Sequence, residues 1–178
     1  MKSNTDTNSN TDMLALTPEI DRLHHECLSL IMATTNATQA PCASYTPFAY
    51  LDGKFYVLVS GLAVHGKNLK TLPELDILLI EDESKTRNIY ARLRLNYRAA
   101  VSPVEKGTAE HAQALALLTE KAGKTVTLLD SMNDFTWYCL TPLLGTLVQG
   151  FGKAFVFDPA DLSGGAVQLN ETNIEQFR

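Results

Sequence analysis

Residues 88–101 read Asn88-Ile89-Tyr90-Ala91-Arg92-Leu93-Arg94-Leu95-Asn96-Tyr97-Arg98-Ala99-Ala100-Val101. Ile89, Ala91, Leu93, Leu95, Tyr97, Ala99 and Val101 alternate with Asn88, Tyr90, Arg92, Arg94, Asn96 and Arg98. A repeat of two sends successive side chains to opposite faces of a strand, so the pattern predicts one long strand with an apolar face toward a core. The other face carries Arg92, Arg94 and Arg98. In a chain of net charge -5, such a face is a local cationic surface suited to a carboxylate or phosphate. The competing reading is an ordinary surface ion-pair cluster, because Glu81, Asp82 and Glu83 lie just upstream and can meet these arginines from a neighbouring strand.

Outward from this strand, turn signals divide the chain into short β segments and two main helices. Toward the N-terminus, residues 75–80 read as a strand, and residues 63–72, closed by Pro73, as a short helix. Residues 41–50 and 54–60 are β-rich and joined by Asp52-Gly53, a hairpin dipeptide. Residues 28–35 fit either a strand or the end of a helix that Thr17 caps, with Pro18, Glu19 and Asp21 in its first turn. Toward the C-terminus, Thr108 caps a second helix that runs to Gly123. Residues 135–141, 145–149 and 153–158 form three more β segments, with a bulge or sharp corner at Gly150 and Gly152. The sum is an α+β antiparallel barrel in one domain, residues 14–158. Residues 1–13 read as a flexible polar tail and residues 159–178 as a loosely attached one.

The chain has 178 residues, 45% of them hydrophobic and 20% charged, the profile of a globular protein. The acidic balance excludes a basic footprint for nucleic acid. No apolar run reaches the length of a membrane span, and residues 1–12 lack the apolar core of a signal peptide, so the expected location is the cytoplasm. Cys27, Cys42 and Cys139 are odd in number and show no CxxC spacing, which predicts neither a disulfide framework nor a zinc site.

Hydrolase, zincin, nucleotide-phosphate and dinucleotide motifs (GxSxG, HExxH, the P-loop, GxGxxG) are all absent. Among four histidines, His24, His25 and His111 have no second ligand at metal spacing and read as structural or solvated. His65 differs. It lies in Ser60-Gly61-Leu62-Ala63-Val64-His65-Gly66-Lys67-Asn68-Leu69, where glycines, a hydroxyl, a cation and an amide meet at a strand-to-helix junction. Such a junction suits an anion, and equally describes a capped loop with a surface lysine.

Several collinear motifs carry a family resemblance. Ala43-Ser44-Tyr45-Thr46-Pro47-Phe48, the segment from Phe55 through Ala63 with His65 and Asn68-Leu69, Ile80-Glu81-Asp82-Glu83-Ser84, Ala91-Arg92-Leu93-Arg94-Leu95, Asp134-Phe135 and Gly150-Phe151-Gly152-Lys153-Ala154 together resemble the haem-utilisation (HugZ/HutZ-type) branch of the pyridoxamine 5′-phosphate oxidase-like split-barrel superfamily. The similarity spans about residues 17–158. It implies a six-stranded antiparallel Greek-key split β-barrel with flanking helices, a homodimer formed through a broad sheet face, and two equivalent cofactor sites along the dimer interface.

The resemblance also implies roles. In a haem-handling protein Arg92 or Arg94 would pair a propionate, Trp137 would cover the macrocycle, and Asp134, matching the family's DF aspartate, would support the axial ligand. Thr34, Lys67 and Arg92 match positions lining the interface site. The family's axial histidine belongs to the C-terminal segment, yet no histidine follows Asp158; His65, from the partner chain, is the remaining candidate metal ligand. In an FMN-binding oxidoreductase, Lys67 and an arginine would take the phosphate, and Ser60 and Asn68 the ribityl chain. A cofactor-free dimeric binding module is the third reading. The haem-utilisation reading, with possible haem degradation to release iron, comes first.

Overall fold

A computed structural model describes residues 10–177. Its strands follow from alternation. In β2 (Ser29–Thr35) Leu30, Met32 and Thr34 are buried, and in β6 (Glu74–Ile80) Leu75, Ile77 and Leu79 are. In β7 (Arg94–Val104) Leu95, Tyr97 and Ala99 point to the same core. The alternative left open for residues 28–35 thus resolves to a strand, paired with β3 (Pro41–Pro47) on one side and β6 on the other.

The hairpin at Asp52-Gly53 joins β4 (Ala49–Leu51) to β5 (Lys54–Ser60). Both turn residues have positive φ, 49° and 76°, the conformation that matches the right-handed twist of the flanking strands. In β5 every residue from Phe55 to Val59 is buried. Phe55, Val57 and Val59 enter the barrel core, while Tyr56 and Leu58 enter a second core beneath α3 (Ala109–Ala122) and α4 (Thr125–Asp130). Cover on both faces explains a run without polar alternation.

One strand organises the sheet. The segments expected as two strands at 135–141 and 145–149 are a single strand, β8 (Phe135–Gly150). Its first half pairs with β5, its second with β9 (Lys153–Phe157), and its length with β7. Pro142 lies between the β5-paired and β9-paired halves, beside a register shift at Arg98/Ala99, where its missing N–H does not interrupt the strand. The order β5-β8-β7-β6-β2-β3 is the six-stranded antiparallel barrel, with β3 lying against β5 without a backbone ladder at the split. The fold is therefore the α+β split barrel expected.

Helix α1 (Thr17–Glu26) closes one end of the barrel with Ile20, Leu23 and His24. Thr17 is its first residue and not its cap: the Thr17 hydroxyl donates to the Met13 carbonyl at 2.8 Å, within a 3-10 turn over Met13–Ala15 that Asp12 caps. α2 (Val64–Leu69) ends before Pro73, and Thr108 caps α3 as expected, its hydroxyl accepting from the His111 N–H.

Two further expectations change. The arginine strand begins at Arg94, six residues after Asn88, because the Asn88 side chain accepts from the Tyr90 N–H and turns Ile89–Ala91 into a 3-10 helix. The barrel boundary also moves. The C-terminal segment adds β10 (Ala166–Gln168) to β9, and β1 (Asn10–Thr11) pairs with β10. Residues 166–168 are thus part of the sheet, Met13 and Ala166 are core residues, and residues 1–9 of the expected N-terminal tail lie outside the described residues.

Candidate functional site: a buried polar junction and a cationic rim

The end of β5, α2 and the start of β8 build one cluster. The Ser60 hydroxyl donates to the Asp134 carboxylate at 2.8 Å and accepts from the Leu62 N–H at 3.2 Å, while the Gly61 N–H donates to the Asp134 carbonyl at 2.6 Å. Gly66 allows the close approach of α2: a Cβ there would lie 2.0 Å from the Ser60 carbonyl oxygen. Two residues on, the buried Asn68 amide donates to the Thr34 hydroxyl at 3.0 Å, and that hydroxyl donates to the Cys42 carbonyl at 3.4 Å. Ser60, Asp134, Asn68 and Thr34 thus stand in one neighbourhood, although 74 residues separate Ser60 from Asp134.

His65 sits on the same helix, half-buried, and burial lowers its pKa, which keeps the imidazole neutral with a lone pair available at neutral pH. Lys67 is exposed and has no carboxylate within 4.0 Å among the described residues. Leu62 and Val64 project apolar surface beside this junction, 75% and 59% exposed.

Arg92 and Arg94 lie at the other end of the sheet, whereas Arg98 stands opposite Asp76, whose other neighbour is Ala33 at the Thr34 end of β2. Arg92 donates from Nε to the Glu81 carbonyl at 2.7 Å and pairs with Glu83 at 3.1 Å. Glu81 meets Arg22 at 2.9 Å, Lys85 meets Glu26 at 2.9 Å, and Asp82 caps the turn at Glu83–Lys85. For Arg92, then, the ion-pair reading holds. Arg94 donates only to the Arg92 carbonyl at 3.2 Å, and neither Arg94 nor Arg98 has a carboxylate within 4.0 Å among the described residues. A cleft of about 400 Å³ opens here, lined by Cys27, Leu28, Ile80 and Arg92. Beyond it Ile89, Tyr90 and Phe151 are exposed at 55%, 81% and 70%, near the approach of Ala91 to Gly150. Sequence periodicity does not reveal this apolar rim; the glycines flanking Phe151 were its signal.

The two clusters do not meet within one chain. Ser29 borders the Arg92 cleft and Thr34 the junction, a separation of about 16 Å along β2 at 3.3 Å per residue. Trp137 belongs to neither. It is completely enclosed under α3, and its indole N–H donates to Asp130 at 2.8 Å, so it cannot cover a macrocycle. The same Asp130 holds His111 at 3.0 Å, which makes His111 structural, as expected. His24 is also buried, its Nε2 3.1 Å from the Tyr97 hydroxyl. His25 is exposed.

Residues 16–149 match the model of the pyridoxamine 5′-phosphate oxidase family. The chain belongs to that family. Within it, the chain is 35% identical over 147 residues to a protein of Vibrio cholerae named haem oxygenase HutZ, covering 83% of this chain and 84% of the relative. A solved HutZ structure, described as a haem storage protein, superimposes with a TM-score of 0.67 over 71% of this chain and 89% of its own. Campylobacter jejuni ChuZ gives 0.79 at 26% identity, over 89% of this chain and 64% of its own. The chain stands in the HutZ-type branch of the family. No helix among the described residues is long and apolar enough to cross a membrane.

Proposed function

We propose that this chain is a haem-utilisation protein of the cytoplasm that binds haem between two copies of itself. The observation that carries the reading is the 35% identity to HutZ over 83% of the chain. The residues fit the group. Haem is an apolar disc with two carboxylates, and the rim offers Arg94 without a carboxylate partner beside exposed Ile89, Tyr90 and Phe151. For the iron, His65 is neither enclosed like His24 nor tied to a carboxylate like His111, and unlike the exposed His25 it stands at the junction. Asp134, held by Ser60, supports that neighbourhood.

Two copies are part of the proposal. One chain holds its junction about 16 Å along the sheet from Arg92 and Arg94; a two-fold dimer through that sheet sets one copy's Ser60, His65, Lys67 and Asn68 against the partner's Arg92 and Arg94. Tyr45 and Ile31, 71% and 40% exposed on the outer face of β3 and β2, supply apolar contact for it. The three free thiols suit a reducing compartment. Bound haem supplies iron and oxygen chemistry; the chain orients the disc, neutralises its carboxylates and presents an imidazole.

A second reading, an FMN-binding oxidoreductase, draws on the family match itself and on Lys67 and Arg94 as phosphate partners. Titration of the purified protein with haemin, and separately with FMN, followed by visible absorption, decides between them. A saturating Soret change at one haem per chain, lost in His65→Ala, is the expected result. Saturation by FMN alone would replace haem with flavin, and no saturation by either would leave a cofactor-free binding module.

A further inference from the structure

Outside the two clusters, a groove of about 350 Å³ lies between α1, β4 and α3, lined by His25, Leu28, Tyr50, Leu117, Glu120 and Lys121. Lys121, in the last turn of α3, is half-buried there. Its Nζ stands 3.5 Å over the centre of the buried Phe48 ring and 3.5 Å from the His24 carbonyl oxygen. No carboxylate lies within 4.0 Å of it among the described residues, although Glu120 lines the same groove. An amine fixed on one side, without a counter-ion and open to a groove partly lined by Leu28 and Leu117, is a nucleophile in waiting.

We propose that Lys121 is the reactive amine of a carbonyl-binding groove, where it forms a reversible imine with a small aldehyde whose apolar body rests on Leu28 and Leu117. The neutral amine adds its lone pair to the carbonyl carbon, and the carbonyl π pair moves to oxygen, which takes a proton. The resulting carbinolamine loses water and leaves an imine. No electron is transferred and no co-reactant is needed. His25 and Glu120 line the groove and can relay the protons. The physical setting agrees: burial lowers the Lys121 pKa to about 8, against a smaller opposite pull from Cys27. The ring face and one carbonyl replace only part of the water that an ammonium needs. At pH 8 the free-amine fraction is then roughly a hundredfold above that of an ordinary lysine.

The test uses the full chain, benzaldehyde at pH 8, cyanoborohydride trapping and peptide mass spectrometry. Lys121 is expected to be modified at least about tenfold faster than the exposed Lys124, with a rate that saturates in benzaldehyde. Equal rates at the two lysines, or a rate linear in benzaldehyde, would overturn the proposal. Lys121→Arg, which keeps the charge over Phe48, should retain the fold and lose the saturable site; a saturable site that survives in it would also overturn the proposal. The comparison of Lys121 with Lys124 is made within the unsubstituted chain, so it stands even if the variant fails to fold.

Discussion

At the Thr34 end of β2, Asn68, Thr34, Ser60 and Asp134 are tied to one another or to backbone by hydrogen bonds of 2.8–3.4 Å, and Asn68 and Thr34 are buried. At the Ser29 end, Arg22, Glu26, Lys85, Arg92 and Glu83 pair at 2.9–3.9 Å, with Glu83 71% exposed. The first end is fixed: its buried groups have no water to fall back on, and losing a partner leaves an unsatisfied atom. The second can exchange partners, because an exposed ion pair contributes about 0–1 kcal/mol and salt screens it. A site that admits a carboxylate-bearing ligand needs both, a rigid frame and cations released at little cost.

The strongest way to break the contrast is at Gly66. Gly66→Ala drives a Cβ to 2.0 Å from the Ser60 carbonyl, and since backbone cannot yield like a side chain, we expect a loss of about 3 kcal/mol or more, read by urea denaturation. Acid acts on another buried polar group. Burial lowers the His24 pKa to about 4, with smaller contributions from His25 and Lys121. The unfolded chain takes up this proton near pH 6.5, so stability present above pH 6.5 is lost as pH falls toward 4. The total is about 3 kcal/mol at 1.36 kcal/mol per pKa step. His24→Phe should flatten that slope of stability against pH, whereas substitutions at the rim should not.

Smaller effects sharpen the comparison. Asn68→Ala leaves the buried Thr34 hydroxyl without its donor and should cost about 2 kcal/mol, little changed by salt. Arg92→Ala removes a pair with an exposed partner and should cost less than about 1 kcal/mol, the difference shrinking in high salt. Arg94→Ala should change stability by no more than about 0.5 kcal/mol. It should nevertheless weaken haemin binding about tenfold in the titration, the loss of one charge-assisted contact to a carboxylate. Equal salt sensitivity at Asn68 and Arg92 would erase the distinction between the two ends.

Much of the fold was legible because its causes are local. Asp52-Gly53 specifies a turn by the φ values it tolerates, Thr108 caps through its own hydroxyl, and the alternation of Leu95, Tyr97 and Ala99 reports a buried face. Legibility failed where a side chain or a distant element competed. Asn88 bends its own backbone and delays the strand to Arg94. Three neighbours along β8 carry that strand through Pro142. Trp137 read as a ligand cover until α3 and Asp130 enclosed it. The collinear motifs identified the branch of the family, but they did not separate Arg92, neutralised by Glu83, from Arg94, which has no such partner.

By itself the sequence determined the α+β class, the Asp52-Gly53 hairpin, the Thr108 cap, the arginine-bearing strand and the family, since each rests on neighbours in the chain or on the order of motifs. The tertiary structure decided the pairings across long separations: Ser60 with Asp134, Asn68 with Thr34, Arg22 with Glu81, and Lys121 over Phe48. It also drew the C-terminal strand into the sheet. The reason is physical. Hydrogen bonds, ion pairs and desolvation act over a few ångströms of space, and folding alone brings residues 30 to 80 positions apart within that range.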